Sequence, residues 1–260
     1  MKSKLRLHAE VAAVITYAIA LWWGARSISK VAAGIFPHSD HLVFALVVVS
    51  GVMLALAWLS GGRAASFQFR PAALLASAAG FAGYTITAVI TLGAAALIGV
   101  VSLSFPGEPS NVFAGAAALL VLVLLSEALP EELLFRGWLS ERLRGLVGGP
   151  WLTIMAQAGL FTFFAVAVGA AASASDAGFI ATFGVVLGML RAVTGTVWVP
   201  VGFHLAFMTA QQSSAPKWSL IMSNEPQLVQ VVLLTMIPFT VVIALLFDRV
   251  KRAPRTATLA

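Results

Sequence analysis

Apolar stretches, several close to 20 residues long, recur eight times along this chain, at about residues 11–23, 41–59, 72–103, 112–129, 151–172, 178–190, 197–208 and 228–247. A helix needs about 20 apolar residues to cross the hydrocarbon of a bilayer. Backbone amides in lipid must find partners within their own segment, which leaves helices as the natural form for such stretches. The predicted fold is therefore all-α: a polytopic transmembrane helical bundle of about eight spans, forming one integral membrane domain over 1–260.

Composition excludes the soluble alternatives. Charged residues make up 10% of the 260, against about 25% in soluble domains, and mean hydropathy is +0.97. A net charge of +6 invites a nucleic-acid reading. The basic residues instead lie in short segments beside apolar runs, which points to membrane topology and anionic lipid. No nucleic-acid partner is expected. There is no cysteine, so disulfides, thiolate metal sites and cysteine nucleophiles are excluded.

Lys2, Lys4 and Arg6 followed by the first apolar run also resemble a signal peptide, but no small-x-small cleavage site precedes Arg26. With eight spans and the N-terminus inside, Lys2, Lys4, Arg6, Arg63, Arg70, Arg136, Arg142, Arg144, Arg191, Arg249, Lys251, Arg252 and Arg255 fall on the inner side. Only Arg26, Lys30 and Lys217 fall outside, a split of thirteen to three. That asymmetry predicts both termini in the cytoplasm of a bacterial or archaeal plasma membrane. It also places the acidic residues after 126 at the cytoplasmic end of the fourth span.

Those residues form the chain's densest charge cluster. Glu127, Glu131 and Glu132 are three of only ten acidic residues, and they fall within six positions at the end of an apolar run. Carboxylates at membrane depth are costly and usually functional. Helical spacing puts Glu127 and Glu131 on one face and Glu132 and Arg136 on the next, the latter in the favourable Glu-before-Arg order. Arg136 is expected to hold Glu132, leaving Glu131 free to act on a water. Pro130 is expected to disturb the helix just before the pair. The plainer alternative is a solvated helix end.

His204 lies in another apolar run. Thr194-Gly195 reads as a turn, Trp198 as an interfacial anchor, and Pro200 as tolerated in the first turns of the seventh span. His204 sits deeper, where a lone histidine commonly serves only as an interhelical hydrogen-bonding group. His8, His38 and His41 lie near span ends.

Glu131-Glu132-x-x-x-Arg136-Gly, followed by Arg191, Thr194-Gly195, Trp198, Pro200 and His204, resembles the CPBP (CAAX protease and bacteriocin-processing) intramembrane proteases, whose EExxxR motif it carries. The resemblance spans about 112–210. It implies a glutamic-type endopeptidase in which Glu131 activates water, Glu132 and Arg136 support it, and His204 binds the water or the oxyanion. It also implies a membrane-anchored protein or hydrophobic peptide as substrate. No cofactor and no metal are expected, since the chain lacks HExxH and has one deep histidine.

Two positions depart from the family pattern. Ala165 stands where an FxxxH histidine is expected, with Phe161 in place, and Met208 stands where HxxxN or HxxxD ends. Gln157 and Thr162 are the nearby polar residues that offer themselves as substitutes. Three functions remain open on the sequence: an intramembrane peptidase, a catalytically impaired regulatory or immunity scaffold, and a proton-coupled transporter.

Overall fold

The computed structural model describes residues 2–36, 39–60 and 71–253. Arg63, Arg70 and Arg255, which entered the charge asymmetry, and His38 lie outside the described residues. Among the described residues eight helices follow one another: α1 Lys2–Ile35, α2 Asp40–Leu59, α3 Pro71–Leu97, α4 Pro109–Val147, α5 Pro150–Ala167, α6 Ala174–Thr194, α7 Trp198–Ser213 and α8 Leu228–Arg252. All but α7, which has 16 residues, are long and apolar enough to cross a membrane. The protein is an all-α polytopic bundle and an integral membrane protein. A small antiparallel ribbon, β1 Leu103–Ser104 with β2 Met222–Ser223, ties the α3–α4 connection to the α7–α8 connection.

Several helix limits differ from the apolar runs, because a helix continues past the hydrocarbon wherever polar residues can be solvated or paired. The largest correction concerns the fourth span. α4 does not end at the acidic cluster; it runs on to Val147. The glutamates therefore lie inside a helix, not at its cytoplasmic end. The third run stops at Leu97, where Gly99 takes a positive φ of 75°. The fifth stops at Ala167, before Gly169 at 72°. Gly195 closes α6 in the left-handed conformation, as the Thr194-Gly195 turn predicts. Arg136 and Arg191 are buried, so neither is the loop charge that the sequence-based asymmetry counts.

The end of α8 lies beside the start of α5, where Phe247 meets Trp151 with ring centroids 5.1 Å apart, and the start of α1 lies near the end of α4. Arg142 near the end of α4 approaches Glu10 of α1 at 3.9 Å. Higher up, Trp22 of α1 packs edge-on against Phe164 of α5 with ring centroids 5.0 Å apart. At the far end, the Arg26 guanidinium donates to the Val168 carbonyl just beyond α5.

α3 and α7 form the closest helix pair. A methyl group at Gly80 would collide with the Val199 carbonyl, and one at Gly202 with the Ser77 carbonyl. Lipid supplies no hydrophobic force between helices, so such backbone contact through small residues is what holds them. It also fixes the depth and rotation of His204, two residues on. In α8, Pro238 has no N–H for the Leu234 carbonyl four residues earlier. Tyr84 Oη donates to that carbonyl at 2.9 Å, and Thr91 Oγ1 to the neighbouring Leu233 carbonyl at 2.9 Å.

Candidate active site

The site begins with an irregular stretch of α4. Leu124–Ala128 and Glu132–Leu139 are π-helical, and the short segment Leu129–Glu131 between them is α-helical and contains Pro130. A proline inside a helix removes one donor and crowds the preceding turn. Here the ladder absorbs the disturbance by widening on both sides. Such π turns recur at functional positions because they re-aim side chains without breaking the helix. Here they send the four glutamate and arginine side chains in two directions.

Glu132 and Arg136 point into the protein and are fully buried. Arg136 Nη1 donates to Glu132 Oε1 at 3.0 Å. His204 Nδ1 donates to the same oxygen at 2.9 Å, a direction set by the carboxylate, which can only accept. The guanidinium carbon of Arg136 lies 4.3 Å from the centre of the Phe161 ring. Arg191 Nε donates to the Arg136 carbonyl at 3.1 Å, and Arg191 also pairs with Glu141 at 3.5 Å. Phe183 meets the His204 ring edge-on with centroids 4.8 Å apart. The imidazole is thus clamped by a carboxylate from α4 and an aromatic ring from α6.

Glu127 and Glu131 point the other way, into a cavity of about 400 Å³. His204 also lines it, so the structure brings Glu131 and His204 to one space although they stand seventy-three positions apart. The cavity runs between α1, α2, α4, α5, α6 and α7 to Val168 and Ala170, with Arg26 and Asp176 among its lining. It therefore extends toward the end of the bundle opposite Glu10 and Arg142. Glu131 accepts no side-chain hydrogen bond among the described residues. Glu127 Oε1 accepts from Gln212 Nε2 of α7 at 2.9 Å.

Ala165 and Met208 both line this cavity. The two polar residues offered as substitutes do not. Gln157 Nε2 is spent on the Gly184 carbonyl at 2.8 Å, and Thr162 Oγ1 on the Ala158 carbonyl at 2.9 Å. Both satisfy neighbouring backbone and neither reaches Glu131. The residues that sequence reasoning missed are Arg26, Asp176 and Gln212, while Glu127 was seen only as a facial neighbour of Glu131. Gln212 had a readable signal, since 204, 208 and 212 repeat at helical spacing. Among the described residues no group of three His, Cys, Asp or Glu side chains is disposed to hold a metal ion.

The bundle and this cavity define a class: a membrane-embedded protein with a wall of carboxylates and an imidazole sunk between its helices. A family model described as type II CAAX prenyl endopeptidase Rce1-like matches residues 113–210, which include Glu127, Glu131, Glu132, Arg136 and His204. That model is one of the CPBP family, so residues 113–210 are similar to the core of these CAAX-type intramembrane proteases. No curated protein and no solved structure matches the chain.

Proposed function

We propose that the protein is an intramembrane endopeptidase that hydrolyses a peptide bond in a membrane-associated protein or hydrophobic peptide. The observation that carries this reading is the cavity that Glu131 and His204 share within the span of the helices. Glu131 takes the proton of a water as that water attacks the peptide carbonyl. His204, on the same wall, stands beside the developing oxyanion. Glu132 and Arg136 act behind it. Because Glu132 bonds His204 and not Glu131, its role is to orient the imidazole. A water-excluding helical shell strengthens each of these interactions.

With both termini in the cytoplasm, the cavity reaches toward the outer leaflet, since it runs away from Glu10 and Arg142. Substrate is then expected from that side or from the bilayer. The test is reconstitution into liposomes with candidate membrane-anchored tails and hydrophobic peptides, with products identified by mass spectrometry. Cleavage by the wild type and none by Glu131→Ala is expected; equal cleavage by both removes the proposed base.

A second reading rests on Ala165 and Met208, which give the wall two apolar groups where the family pattern has polar ones. On that reading the protein binds a partner without cutting it. The cellular phenotype would then survive Glu131→Gln, and its loss would argue against a pure scaffold.

A further inference from the structure

This inference rests on the peptidase reading. Hydrolysis of a peptide bond needs two proton transfers, one off the attacking water and one onto the leaving amine. Glu131 supplies the first. The ionisable side chains on the cavity wall are Arg26, Glu127, Glu131, Asp176 and His204, so a second donor distinct from Glu131 has four candidates there.

Three are already committed. Arg26 donates to the Val168 carbonyl, and a guanidinium is not a proton donor in general acid catalysis. Asp176 Oδ2 accepts from the backbone N–H groups of Ala172 and Ser173 and caps α6. His204 has Nδ1 tied to Glu132, and the peptidase reading places the rest of its ring beside the oxyanion. Glu127 remains. It stands one turn before Glu131 on the same wall, and Gln212 holds one of its oxygens at 2.9 Å. Its other oxygen has no side-chain partner among the described residues. Phe161, Ala165 and Met208, also on this wall, carry no exchangeable proton.

We infer that Glu127 is the second acid–base residue of the site, oriented by Gln212, and that Glu127 and Glu131 work as a carboxyl–carboxylate pair with one proton between them. Two adjacent carboxyls sharing a proton is a known way to run acid and base chemistry together. In the first step the water oxygen bonds to the carbonyl carbon, its proton passes to the Glu131 carboxylate, and the carbonyl oxygen takes the negative charge. In the second the carbonyl re-forms, the C–N bond breaks, and the Glu127 carboxyl proton passes to the leaving nitrogen. Proton transfer from Glu131 to Glu127 then restores the starting state. The products are a carboxylic acid and an amine, and water is the only co-reactant.

The test uses the full chain in proteoliposomes with a quenched-fluorescent hydrophobic peptide. Glu127→Gln should lower kcat about 100-fold with KM little changed. It should also abolish the alkaline fall of the pH–kcat profile, because no acid then remains to be deprotonated. Ala165→His, which places a new proton carrier on the same wall, should restore at least part of that loss to Glu127→Gln and none to Glu131→Gln. Gln212→Leu should lower kcat more mildly while keeping both limbs of the profile. Unchanged kcat and profile in Glu127→Gln would overturn the inference, as would a loss that Ala165→His does not rescue. A wild type that cleaves nothing while Ala165→His alone cleaves would overturn the role of Glu127 but keep the peptidase reading. Inactivity of both would remove the peptidase reading itself.

Discussion

Glu131 and Glu132 are sequence neighbours with opposite surroundings. Glu132 is sealed between Arg136 and His204, with no exposed surface. Glu131 faces a cavity and receives no side-chain donor among the described residues. The contrast teaches how a membrane protein can use two adjacent acids differently. A buried carboxylate with fixed partners is committed to architecture, because any change of its charge strands those partners. A carboxylate on a cavity wall keeps its lone pairs for water and substrate. The π turns around Pro130 make the separation possible by aiming consecutive side chains at different spaces.

The comparison breaks first at Glu131. Glu131→Gln should cost about 10³-fold in kcat with little change in thermal stability, measured by peptide hydrolysis and melting in the same proteoliposomes. A comparable fall in melting temperature would show that Glu131 is structural too. On the sealed side, Arg136→Met should destabilise the fold by about 3–5 kcal/mol, because it leaves the Glu132 charge without its guanidinium. Pairing it with Glu132→Gln should recover part of that loss, and a denaturation series in detergent would measure both. Gly202→Leu should cost about 1–3 kcal/mol by forcing α7 off α3 and should lower activity by moving His204. Thr162→Val is the smallest change. It removes only a bond to the Ala158 carbonyl, so activity should stay near wild type; a large loss would return Thr162 to the list of catalytic candidates.

Much of this was readable in the chain. The Glu132–Arg136 bond follows from their i, i+4 spacing, and the eight helices follow from hydropathy. The partner of His204 did not follow. The imidazole lies seventy-two positions from Glu132, and helices that are apolar on most faces carry no periodic pattern to phase one against another. Gln212 was lost because apolarity ends at Met208, whereas α7 continues to Ser213, where polar residues bond α4 and α8 instead of lipid. Glu127 required the cavity itself: spacing puts it beside Glu131, but only the packing of α1, α5 and α6 decides that this face is open.

The chain has no cysteine, so single-cysteine variants report on one position without background. The most direct measurement is the reaction of Ala165→Cys with a charged, membrane-impermeant thiol reagent, added from each side of oriented vesicles, beside Leu133→Cys, which is buried in the core. The account predicts fast labelling of Ala165→Cys from the side opposite the termini, slowed by a bound hydrophobic peptide, and no labelling of Leu133→Cys. An Ala165→Cys that stays unreactive from both sides would mean that water does not reach the wall of Glu127, Glu131 and His204, and the hydrolytic reading would fail.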